Sequence, residues 1–326
     1  MIGLGSWRFF LAFLVAISHL YAHMIDGPAA YAVWGFFVMS GYLMTYVLTE
    51  KYGSNPLGLR AYAYNRFLRI YPLYFISVFI GLFTIGVLSR YGLSPTGLNP
   101  QFQKPVSPNN WLTVFIMNPF GDASGLPVPV AGALYVEVIA YMIMPFMAQG
   151  KNGAWVALFL SIASNIGYGF TTESFPIRYT LLAPCMLAFS AGSLLCHYRD
   201  KLSWSKNRVL SLLAWSFHGI YWLADPSWPW GYGIILSVPL SMWVVLSFSD
   251  VKAGKLDTLL GDLSYPMYLL HTTVAAWLIP RFGFDRGLLF FIISFVLTMG
   301  VSWIMLILVD APIKRKKILL EPVHHK

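Results

Sequence analysis

Ten residues, Phe9 to Ser18, separate Arg8 from His19, and all but Ser18 are apolar. At about 100° per residue, eleven steps complete roughly three turns, which puts both side chains on one helix face about 16 Å apart. His23 lies one further turn along, with Asp26 after it. A guanidinium, an imidazole and a carboxylate on one stripe suit acid–base chemistry on a substrate anchored at the cationic end. The structural alternative makes Arg8 an interfacial anchor and His19 a hydrogen bond between helices.

Further candidates lie downstream. Arg66 and Arg69 are three apart, so a helix projects them to neighbouring positions, where guanidinium forks suit phosphate. Retention of positive charge at one membrane face explains arginines here equally well. Ser40 and Gly41 sit in an apolar run and permit close backbone packing, here expected against the first span. Glu137 follows Gly132-Ala133-Leu134-Tyr135-Val136 and could orient an imidazole, hold a sugar hydroxyl, or pair with an arginine such as Arg178. In Ser264-Tyr265-Pro266-Met267-Tyr268-Leu269-Leu270-His271, Tyr268 and His271 are helix neighbours.

These residues must be positioned by elements that a lipid environment selects. Of 326 residues 57% are hydrophobic and 11% charged, against about 25% charged in a soluble domain. So few charges do not cover a water-soluble fold of this size, and mean hydropathy is +0.63. The same composition excludes disorder, collagen and, with two cysteines, a disulfide scaffold. The expected fold is all-α and polytopic, with about ten transmembrane helices. They are placed near 5–24, 29–49, 71–89, 131–149, 153–170, 176–197, 208–224, 230–248, 260–280 and 286–309. Short connections then leave a single domain over 1–326, without room for a second, soluble one.

The charges sort accordingly. If the N-terminus is cytoplasmic, the 22 basic residues, from Arg8 to Lys326, fall on the inner side except Arg90, Lys104, Arg178, Arg281 and Arg286. That bias places both termini in the cytoplasm and turns the net charge of +9 into topology rather than a nucleic-acid surface. The first apolar stretch reads as an uncleaved span rather than a signal peptide. The outer connection 90–130 carries seven of the 20 prolines around a short apolar run, Trp111 to Met117, and suits a re-entrant or interfacial piece or, equally, a covering loop without a role in function. Cys185 and Cys196, about 16 Å apart on one helix, are expected to be buried fillers. His197, His218, His324 and His325 form no zinc-site spacing, and no metal is expected. Phosphate-loop and dinucleotide fingerprints are missing from the sequence too.

In order and placement these motifs resemble the acyltransferase-3 family of bacterial integral-membrane O-acyltransferases. The family's R-x10-H is met by Arg8 and His19, and its G-x-x-x-S-G type run by Phe36, Phe37, Ser40 and Gly41. Its R-x-x-R is met by Arg66 and Arg69 ahead of Tyr71-Pro72. The fourth-span W-S-L-x-x-E keeps Leu134 and Glu137 but carries Gly132-Ala133 in place of Trp-Ser. The late S-Y-x-x-Y-L-x-H is met by Ser264, Tyr265, Tyr268, Leu269 and His271.

The resemblance implies an enzyme of the bacterial inner membrane that takes an acyl group, usually acetyl, from cytoplasmic acyl-CoA. The acceptor is a hydroxyl on a surface carbohydrate or glycolipid. On this reading Arg8, Arg66, Arg69 and Ser40 hold the co-substrate. His19 acts with Asp26 or Glu137, as general base or through an acyl-imidazole, and His23, Tyr268 and His271 meet the acceptor. With a short tail after the tenth span, the chain completes the transfer itself or hands the acyl group to a separate periplasmic transferase. A proton-coupled transporter uses similar residues, but the inverted repeats of many transporters are not visible.

Overall fold

A computed structural model describes residues 3–318, so the expectations for Lys326, His324 and His325 lie outside the described residues. The described chain is helical throughout, with no strand in it. In order the helices are α1 (Leu4–Leu20), α2 (Pro28–Val47), α3 (Pro56–Arg90), α4 (Pro108–Ile116), α5 (Gly132–Ala148), α6 (Lys151–Tyr168) and α7 (Phe175–Thr180). Then follow α8 (Leu182–Tyr198), α9 (Arg208–Ile220), α10 (Gly233–Phe248), α11 (Lys255–Ala276), α12 (Ile279–Phe282), α13 (Leu288–Met305) and α14 (Ala311–Lys314). Each of the ten expected segments contains a helix. Among the described residues four helical stretches are long and apolar enough to cross a membrane: Pro28–Tyr52, Pro56–Arg90, Pro129–Ala148 and Leu288–Lys314. Leu4–Leu20, Leu182–Tyr198 and Gly233–Phe248 are shorter apolar helices.

Large apolar side chains such as Phe79, Phe83, Phe159, Leu160, Val296 and Leu308 point outward from α3, α6 and the last long helix. Such a surface is stable against hydrocarbon and costly against water.

Several boundaries differ from the hydropathy reading, each for a local reason. The helix at 176–197 is interrupted at Leu181, whose φ/ψ of −80°/143° is extended. Continuous helix would drive the Pro184 ring into the Thr180 carbonyl, whereas in the first turn of α8 the missing N–H is harmless. Conversely, α3 begins fifteen residues before the expected span and runs straight through Pro72. Arg66 and Arg69 therefore ride on a helix of 35 residues, about 52 Å long, rather than on a loop. The first helix stops at Leu20, because the Ala22 N–H bonds the Arg286 carbonyl while the Arg286 guanidinium takes the His19 carbonyl.

Two close helix pairs organise the bundle. α1 and α11 run in the same direction, with Gly5 beside Gly261 at one end and His19 beside His271 at the other. A Cβ on Gly5 would stand 2.1 Å from the Asp257 carbonyl oxygen, so only glycine lets these backbones meet. α2 meets α8 equally closely, since a Cβ on Gly41 would lie 2.1 Å from the Phe189 carbonyl and one on Gly192 2.0 Å from that of Val38. The expected contact of Ser40-Gly41 with the first span is thus corrected: Gly41 closes on α8, and it is Gly35 that approaches Leu11 of α1.

The 90–130 connection folds back into the bundle. α4 ends at Met117, a left-handed residue with φ 54° that turns the chain. Asn110, fully buried, ties the turn by donating to the Asp122 and Gly125 carbonyls. Tyr74 of α3 donates to the Val114 carbonyl at 2.8 Å or shares its proton with Tyr135 at 2.7 Å. Tyr268 of α11 donates to the Val130 carbonyl at 2.6 Å.

Candidate active site

A cavity opens between α1, α2, α3, α5 and α11. Its cationic end is formed by Arg8, Arg66 and Arg69, and it reaches past Phe36 and Glu137 to Val33, Ala133 and Tyr268. The long helix α3 sets the two arginines side by side, and Arg8 comes in from the first turns of α1.

The three guanidiniums are not equivalent. Arg69 pairs with Asp310 at 3.2 Å, and Lys314 shares the same carboxylate at 3.2 Å while also pairing with Asp262 at 2.6 Å. Among the described residues neither Arg8 nor Arg66 has a hydrogen-bonded or ionic partner, and the Arg66 Nε is buried with its N–H unused. A buried unused donor on a cation is costly unless an anion completes it. The chemistry of this end fits phosphate.

Glu137 faces the cavity from α5. Its carboxylate accepts the Ser40 hydroxyl at 2.6 Å and the hydroxyl of Tyr141, one helical turn away. Ser40 thus donates to a carboxylate, and Glu137 is engaged with two hydroxyls. Arg178, the arginine named as its possible mate, is fully buried elsewhere. It donates to the carbonyls of Thr171, Trp230 and Gly231 and to the Ser174 hydroxyl.

His19 sits at the far end of α1. Its Nδ1 lies 2.9 Å from the Nε2 of His271. The ring planes differ by 5° and the centroids are 5.2 Å apart. That separation is nearly the largest a 2.9 Å contact permits, so the rings point at each other edge to edge in one plane rather than stacking face to face. His271 is fully buried and His19 half-buried. The Tyr268 ring, 6.5 Å from His271, joins this pair to the cationic cavity.

Beside the end of α1 lies a second cavity, lined in part by Ser18, Tyr21, Asp26, Phe175, Tyr179, Trp230 and Arg286; His19 and His271 line neither cavity themselves. Arg178 sets its wall by fixing the Trp230 carbonyl, and Trp230 meets Phe175 edge-on at 4.8 Å. Asp26 is exposed on this rim. His23 is exposed too, in the turn after α1 with its ring against Tyr21, so the expected continuation of the Arg8–His19 stripe to His23 does not hold. The helix has ended three residues earlier, where Arg286 engages the His19 carbonyl and the Ala22 N–H.

The structure therefore brings Arg8, Arg66, Arg69, Ser40, Glu137 and Tyr268 to one cavity, and pairs His19 with His271. The hydrogen-bonded partner of His19 is this imidazole, while Asp26 stands at the second cavity and Glu137 at the first. Sequence reasoning passed over Tyr141, which its i,i+4 spacing from Glu137 could have signalled. It also passed over Arg286 as a cap on α1, for which no local signal exists.

The sequence profile described as an acyltransferase domain matches residues 1–307. The chain is 26% identical to YrhL of Bacillus subtilis (strain 168), named provisionally as a peptidoglycan O-acetyltransferase, over 83% of this chain and 48% of that protein. It is also 26% identical to the exopolysaccharide production protein ExoZ of Rhizobium meliloti (strain 1021), over 82% of each. The chain thus spans about half the length of YrhL. No solved structure matches it.

Proposed function

The chain belongs to the acyltransferase-3 family, and from that premise we propose that it is a membrane O-acyltransferase acting on a carbohydrate hydroxyl. The names of its relatives, peptidoglycan O-acetyltransferase and exopolysaccharide production protein, support acetyl as the group and a surface glycan or its lipid-linked precursor as the acceptor. The observation that carries the reading is the hydrogen-bonded His19–His271 pair, which Tyr268 joins to the cavity of the three arginines and Glu137, and which Ser18 and Tyr21 join to the cavity of Trp230, Phe175, Asp26 and Arg286.

On this proposal acyl-CoA enters from the cytoplasm, with its phosphates on Arg8 and Arg66 beside Arg69. The pantetheine arm follows the cavity past Tyr268 toward His19. The acceptor lies in the second cavity, where Trp230, Phe175 and Tyr179 offer faces to a sugar and Asp26 an acceptor for its hydroxyls. His19 takes the proton of the attacking hydroxyl as its oxygen bonds the thioester carbon. The C–S bond then breaks, and the proton on His19 passes to the departing thiolate. The products are the ester and free CoA.

We place ten crossings and cytoplasmic termini in the inner membrane. The parallel run of α1 and α11, the first and ninth expected spans, supports that alternation.

The test uses purified protein in lipid vesicles with radiolabelled acetyl-CoA and a glycan acceptor. Acceptor labelling and CoA release are expected from the wild type. His19→Ala should show neither while inserting at the same level. A fully active His19→Ala protein overturns the assignment, and label on His19 itself would replace the base mechanism with an acyl-imidazole. A transporter would release no CoA.

A further inference from the structure

We infer that His271 is a positioning residue, which holds His19 in the tautomer that carries its lone pair on Nε2. The catalytic consequence rests on the acyl-transfer reading above; the tautomer itself does not.

Proton positions follow from a chain of three groups. The Nδ1 of His271 lies 3.2 Å from the backbone carbonyl of Met267, one turn earlier on α11. A carbonyl only accepts, so this Nδ1 carries the proton. In a neutral imidazole the other nitrogen is then bare, so the Nε2 of His271 can only accept. Its neighbour at 2.9 Å, the Nδ1 of His19, must be the donor. The Nε2 of His19 is left with a free lone pair, as a base or nucleophile requires. The two rings are coplanar and end to end, so the donated proton lies along the lone-pair direction of His271.

The division of labour agrees with burial. His271 is sealed, with both nitrogens occupied by Met267 and His19, and has no free atom to offer a substrate. His19 is half-buried and keeps one nitrogen free. Two further contacts fix the ring pair: Arg286 donates to the His19 carbonyl at 3.0 Å, and the backbones of α1 and α11 touch at Gly5 and Gly261. When His19 Nε2 takes a proton, Nδ1–H remains directed at His271, whose lone pair stabilises the new charge. A carboxylate plays this part in serine hydrolases; here a neutral imidazole backed by a main-chain carbonyl does. Tyr268 and His271, alike as motif residues, thereby separate: the tyrosine ring lines the cavity, and the histidine acts through His19.

The experiment reads tautomer and rate separately. Full-length protein labelled with 15N-histidine in lipid bilayers is examined by solid-state NMR, with His19 assigned by difference from His19→Ala. The expected result is a protonated Nδ1 and a bare Nε2 on His19, with a coupling across the hydrogen bond to His271 Nε2. A proton on His19 Nε2 overturns the inference, and this measurement needs no variant at position 271. In the acetyl-transfer assay His271→Leu should lower kcat on the order of 10²-fold with the KM for acetyl-CoA unchanged. His271→Gln, whose side-chain oxygen can accept from His19, should restore most of the rate. A leucine variant as fast as wild type, or a glutamine variant no better than leucine at equal membrane level, overturns it. If wild-type protein transfers no acyl group, the functional reading falls, and the NMR result still decides the tautomer.

Discussion

The carboxylate of Asp257 accepts two hydrogen bonds from Ser6, one from its backbone N–H at 2.8 Å and one from its hydroxyl at 2.7 Å, across 251 residues of sequence. Gly3 and Gly5 donate their N–H groups to the same side chain at 2.7 and 3.3 Å. Asp257 therefore caps α1 from another helix, in place of the side chain that Gly3 lacks. Because α1 and α11 run in parallel from this point, the cap also fixes which residue of α11 meets His19.

Asp257→Ala removes both the cap and the negative charge at the helix N-terminus. The expected cost is about 1–2 kcal/mol, seen as a lower Tm in detergent, with a loss of transfer activity as His19 and His271 lose register. Asp257→Asn should recover part of both. An unchanged Tm for the alanine variant would sink the capping account.

The arginines should divide by their partners. Arg66→Ala is expected to weaken acetyl-CoA binding about 10- to 100-fold with little change in Tm, since no protein group loses a bond. Arg69→Ala should weaken binding and also lower Tm, because Asp310 loses its guanidinium partner and keeps Lys314. Binding by isothermal titration together with thermal melts separates the two; equal Tm losses would contradict the division.

Tyr141→Phe deletes one of the two hydroxyls that hold Glu137 and leaves the ring in place. A fall in kcat of about tenfold is expected, with protein level and Tm nearly unchanged. Wild-type turnover would show that the orientation of Glu137 does not matter to the reaction.

Gly41→Ala and Gly192→Ala each force a methyl group into a neighbouring backbone carbonyl, with no flexible side chain to yield. About 1–3 kcal/mol of destabilisation is expected from each, through separation of α2 and α8. Gly86, also helical but with open space around it, is the control, and Gly86→Ala should leave Tm unchanged or raise it slightly.

Arg178→Met should loosen the second cavity by stripping the Trp230 and Gly231 carbonyls of their donor. Buried carbonyls left unpaired cost about 1–3 kcal/mol each. On the proposed function, the KM for the acceptor should rise more than that for acetyl-CoA, a difference steady-state kinetics reads directly.

Much of the architecture is local and was legible. Apolar runs of spanning length specify helices whatever surrounds them, since in lipid every backbone polar group must be satisfied within the segment. Helical spacing correctly put Arg8 and His19 within one helix, Arg66 beside Arg69, and Tyr268 beside His271. It failed where another segment intervened: the α1 terminus is set by Arg286, so His23 leaves the stripe that 100° steps assign to it. The break at Leu181 was readable in principle from Pro184, whereas the passage of α3 through Pro72 was not.

By itself the sequence determined a helical, apolar chain with a few polar residues at helical spacing, because periodicity and hydropathy are properties of neighbouring residues. Only the tertiary structure decided the partnerships: His19 with His271, Asp257 with Ser6, Arg69 with Asp310, Glu137 with Ser40. Those pairs are 97 to 252 residues apart. Each depends on which helices meet and in which direction they run, with glycines setting the approach of α1 to α11, and none of this is encoded in any short stretch of the chain.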